Sequence, residues 1–109
     1  MKLTLLILAL APGDAPASSS ARSAWESCLQ SSAQVESLGS GSDVTVAVKA
    51  LSTCSTNKDR YVKALIRGAI GTSPGGQSPA SQALQQVTLD QRELTIRLIA
   101  FIRKLRQQP

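Results

Sequence analysis

Histidine is absent from this sequence, and aromatic residues nearly so: Trp25, Tyr61 and Phe101 are the whole set. The first absence removes the commonest general base and the commonest metal ligand. Hydrolytic triads and histidine-containing zinc sites go with it. The single asparagine, Asn57, precedes Lys58 and Asp59, so there is no N-glycosylation sequon. The apolar run from Leu3 to Ala11 spans nine residues, far short of the roughly 20 that a membrane-crossing helix requires. What remains is 109 residues, 42% of them hydrophobic, enough for one small domain.

The N-terminal stretch has the order of a secretory signal: Lys2, an apolar run, the breakers Pro12-Gly13, then Ala15-Pro16-Ala17 as a small-residue cleavage site. Residues 1–17 are therefore expected to be a signal peptide cut near Ala17, with a cut nearer Ala11 or a greasy N-terminal element as alternatives. Residues 18–109 then form a single exported domain, periplasmic or secreted, and residues 14–20 should be disordered. Two cysteines, Cys28 and Cys54, suit an oxidising compartment.

Periodicity predicts an all-α domain. A first helix runs from about Ser20 to Leu38, with Ala21, Trp25, Cys28, Ser32 and Val35 on one face. Gly39-Ser40-Gly41-Ser42 breaks it, and Asp43 is the expected N-cap of a second helix reaching Ile70. Its stripe is Val44, Ala47, Leu51, Cys54, Lys58, Tyr61 and Leu65. Residues 71–79 read as a linker, with Ser78 and Pro79 opening a third helix that ends near Gln107. Its inward stripe is Leu84, Val87, Gln91, Leu94, Leu98, Phe101 and Leu105.

The cysteines test the hairpin. Residues level with each other in two antiparallel helices lie equally far from the turn, and the midpoint of 28 and 54 falls on Gly41, inside the breaker. A Cys28–Cys54 bridge is therefore expected, with two unlinked thiols as the alternative. Such a bridge staples a small domain.

Ala24-Trp25-Glu26-Ser27-Cys28, Ala50-Leu51-Ser52-Thr53-Cys54 and Tyr61-Val62-Lys63-Ala64-Leu65 together resemble small exported bacterial proteins in which two cysteines bracket a helical hairpin. The resemblance covers residues 21–66. It implies a stapled hairpin in the periplasm, no activity, and structural roles for Trp25, Cys28, Cys54 and Tyr61. Exported lysozyme inhibitors with helical, cysteine-containing folds are a more distant comparison and carry more cysteines.

No constellation for catalysis, metal or cofactor stands out. Ser55-Thr56-Asn57-Lys58 matches the S-x-x-K nucleophile motif, but its K-T-G partner is missing and the chain is too short for that fold. Charge is more informative. From Lys58 onward nine bases face three acids, whereas residues 18–57 carry a small acidic excess. With only three aromatics and no known basic motif, nucleic acid is not the expected partner. Opposite the third helix's core stripe runs a second one, Leu89, Arg92, Ile96, Ile99 and Arg103, which a solvated helix back would not need. It marks either a wide buried arc or a contact surface for a protein partner or another copy. A non-catalytic interaction protein is the expectation, and peripheral binding to an anionic membrane the alternative.

Overall fold

A computed structural model describes residues 17–70 and 78–108. The expected signal segment, Ala17 excepted, and most of the expected linker lie outside the described residues. Four helices follow one another: α1 (Ala17–Glu36), α2 (Asp43–Thr53), α3 (Ser55–Ala69) and α4 (Pro79–Gln107). The protein is an all-α, disulfide-stapled bundle. No described helix is long and apolar enough to cross a membrane.

Each start has a local cause. Ser42, not Asp43, caps α2: its side chain accepts from the Thr45 amide at 3.1 Å. Asp43 is instead the first helical residue, where a negative charge meets the positive end of the helix dipole. Ser78 caps α4 in the same manner, accepting from Ser81 at 3.0 Å, and Pro79 takes the first turn, where its missing N–H costs nothing. Helix α1 begins at Ala17, so residues 17–20 are helical rather than disordered.

The second helix is not continuous. It breaks at Cys54, whose carbonyl accepts from both Asn57 at 3.0 Å and Lys58 at 3.2 Å. No glycine or proline marks the spot. The polar run Ser52-Thr53-Cys54-Ser55-Thr56-Asn57 supplies residues that hold a helix weakly because their side chains compete for its backbone. Both halves, α2 and α3, pack against α1 and α4.

Helix α4 closes onto the hairpin instead of extending away, and this shifts the buried faces. The core comprises Trp25, Leu29 and Ala33 of α1; Val46, Ala47 and Ala50 of α2; Cys54 and Tyr61; and Val87, Leu94, Leu98 and Ile102 of α4. Of the expected α1 stripe only Trp25 is fully buried, while Cys28 is half-buried and Val35 exposed. Val44 and Leu84, expected inside, are exposed too. A stripe centred on the cysteines describes a two-helix pair. Helix α4, packed across both α1 and the second arm of the hairpin, moves the centre of burial toward Leu29. Trp25, at 0% exposure, packs the core.

The staple forms as the midpoint argument requires, with Cys28 and Cys54 bonded and their Cα atoms 5.9 Å apart. It closes a separation of 26 residues, worth about 3.5 kcal/mol in the chain-entropy account. A bond of this kind fits an oxidising compartment.

Candidate functional site

Helix α4 carries the candidate surface, and the five residues of its second stripe divide. Leu89 and Ile96 are 56% and 65% exposed, and with Arg92 they line one shallow depression of about 420 Å³. Ile99 is partly buried and packs against the core, which ties it to the bundle. Arg103 is exposed but lies 3.5 Å from the Asp43 carboxylate. Three of the five thus remain together as an unpartnered face, and two serve the bundle.

The basic end of α4 also holds the hairpin turn. Arg106 donates to the Ser37 carbonyl at 3.1 Å, to the Gly39 carbonyl at 3.0 Å and to Asp43 at 2.8 Å. These carbonyls lie just past the end of α1, where helical backbone acceptors lose their partners. One planar guanidinium therefore satisfies the end of α1 and the start of α2 together.

A polar chain, buried at Asp90 and Tyr61, runs between the helices around the middle of α4, and sequence periodicity pointed to none of its bonds. Asp90 is the one buried charged residue among those described. The Tyr61 hydroxyl donates to one oxygen of its carboxylate. The Gln86 amide donates to the other at 3.2 Å, and Arg22 approaches that oxygen at 3.6 Å. Arg22 continues to Glu93 at 3.5 Å, and Arg97 bridges Glu93 at 3.3 Å to Glu26 at 2.6 Å. Burial pushes the Tyr61 hydroxyl up to about 12, the Asp90 hydrogen bond and charge add to this, and Arg22 opposes it. Trp25 stacks at a tilt on Tyr61, with centroids 5.9 Å apart, and its indole N–H has no hydrogen-bond partner among the described residues. The chain ties α1, α3 and α4 together.

Ion pairing also decides which charges face outward. Glu26, Glu36, Asp43, Asp90 and Glu93 each meet a base, Glu36 through Lys49 at 3.3 Å. Lys58, Arg60, Lys63, Arg67, Arg92 and Lys104 have no carboxylate partner among the described residues. Five of the six described acids are spent in ion pairs, so the basic excess of α3 and α4 is left for solvent or a partner. Ser55 opens α3 as an exposed residue, and Lys58 of the S-x-x-K match lines a groove beside α4. Both cysteines are consumed by the bridge. Among the described residues no group of three or more His, Cys, Asp or Glu side chains is placed to hold a metal ion.

Protein families, curated proteins and solved structures offer no match to this chain.

Proposed function

We propose that the protein is a non-catalytic, exported interaction protein whose contact surface is the outward face of α4. The observation that carries this reading is the pair Leu89 and Ile96, two turns apart, both more than half exposed, with unpaired Arg92 between them. Apolar side chains left in water at helical spacing cost stability unless something covers them part of the time. Export is supported by the signal-like order of the first residues and by the Cys28–Cys54 bridge.

The test is affinity capture from the extracytoplasmic fraction of the native cell, with the wild-type protein and with Leu89→Ser/Ile96→Gln. Because both side chains are exposed, the variant should keep its helicity and melting temperature. A specific protein retained by the wild type and lost by the folded variant is the expected result. Identical captures by the two, or a collapse of the fold in the variant, would refute the reading.

The six unpaired bases favour a second reading, attachment to an anionic membrane surface. It requires co-sedimentation with anionic vesicles that weakens as salt rises. Binding indifferent to lipid charge would exclude it.

A further inference from the structure

Beside the Leu89 face, a second hollow of about 430 Å³ lies between the first turn of α3 and the middle of α4. Its apolar walls are Leu84 and Ile96, 56% and 65% exposed, and buried Val87 lies on its lining between them. Twelve residues separate Leu84 from Ile96 on one helix, so the hollow extends for roughly 18 Å along the α4 axis. Lys58 enters it from α3 and Arg92 from α4. Neither has a carboxylate partner among the described residues, and Asp59 is the only described acid not already bound to a base.

We propose that this groove binds an acidic amphipathic segment of a partner protein, its carboxylates on Lys58 and Arg92 and its apolar side chains on Leu84, Val87 and Ile96. The proposal rests on the reading of α4 as the contact surface and names the chemistry of what it meets. Charge complementarity selects the occupant. A second copy would bring the same uncompensated bases, since all its described acids but Asp59 are likewise engaged. A long open trough admits a row of side chains, whereas a bilayer presents a plane that cannot follow its recess. Helical or extended peptides laid in grooves are recognised in this manner, with apolar anchors giving affinity and charges giving register.

Selection of a random displayed-peptide library on the oxidised protein tests this and does not require the partner to be identified. The enriched peptides should combine Asp or Glu with Leu, Ile or Val. Their affinity should fall about tenfold or more on Lys58→Glu/Arg92→Glu, and should weaken with salt. Replacing the peptides' acids by amides should have the same effect. Neither cation holds the fold through an ion pair, so both variants should melt with the wild type. Lys58→Gln/Arg92→Gln serves if the charge reversal disturbs folding. Neutral or basic winners, no enrichment at all, or acidic winners indifferent to both substitutions would overturn the proposal. So would binding only to phosphatidylglycerol-containing vesicles. Peptides lost on Leu89→Ser but unaffected at Lys58 and Arg92 would leave the α4 contact surface standing and remove the groove alone.

Discussion

Tyr61 of α3 donates its hydroxyl proton to the carboxylate of Asp90 on α4, and that carboxylate is the meeting point of three helices. Gln86 satisfies the second oxygen from within α4, while Arg22 brings in α1. A buried carboxylate is tolerable only while such partners stay in place. Tyr61→Phe should therefore destabilise by about 1–3 kcal/mol. Asp90→Ala should cost at least as much, because it strands a buried hydroxyl. Urea denaturation of the two single variants and the double variant checks this. The effects should be less than additive, since the two changes remove the same bond. Strict additivity would mean that the bond contributes nothing.

Burial of the Tyr61 hydroxyl, reinforced by its bond to Asp90, sets a pH dependence at the alkaline end. Tyr61 ionises near 10 in the unfolded chain and at about 12 in the folded one. Below pH 10 both states keep the proton, and the stabilisation is fully present. Between pH 10 and about 12 the unfolded state releases its proton first, so stability falls as pH rises. The loss is at most about 3 kcal/mol. Lysines also titrate in this range, so the quantity to measure is the difference between wild type and Tyr61→Phe. That difference should shrink from pH 9 toward pH 12, and a constant difference would contradict the assignment.

Arg106 and Arg103 both face Asp43, but they should not weigh equally. Arg106 is mostly buried and donates to two turn carbonyls as well as to Asp43 at 2.8 Å. Arg103 is largely exposed and sits 3.5 Å away. Arg106→Ala should cost about 1–3 kcal/mol and speed amide exchange around Gly39 to Asp43. Arg106→Lys should recover little, since an ammonium cannot span three acceptors as a planar fork does. Arg103→Ala should cost no more than about 1 kcal/mol. Equal melting temperatures for the Arg106→Ala and Arg103→Ala proteins would count against the clamp.

Much of the fold was legible in sequence because it depends on breakers and spacing. Gly39 to Ser42 placed the turn, Ser78-Pro79 placed the start of α4, and the turn midpoint paired Cys28 with Cys54. Burial faces were less legible, since a helix packed on two sides centres its core between stripes. This is why Leu29 rather than Cys28 marks the middle of α1. Asp90 was illegible for a related reason. A carboxylate next to Gln91 on an arginine-rich helix reads as surface charge, and only Tyr61 on the facing helix makes it a core residue. The signal present was its position, three after Val87 and four before Leu94. On the candidate surface, exposure of Leu89 and Ile96 needed the structure, because a wide buried arc and a contact face share one periodicity.

The bridge should matter beyond its share of stability. Cys54 is both a half of the staple and the residue at which α2 gives way to α3. Its carbonyl accepts from Asn57 and Lys58, so the covalent anchor and the first turn of α3 meet at one residue. Cys28→Ser/Cys54→Ser should lose about 3.5 kcal/mol by the loop-closure argument. It should also loosen the turn that carries Lys58 into the groove. Hydrogen exchange in the reduced or serine-substituted protein should therefore rise most at residues 55–58, more than at the middle of α4. Uniform acceleration along the chain would show a general loss of stability with no special dependence of α3 on its anchor.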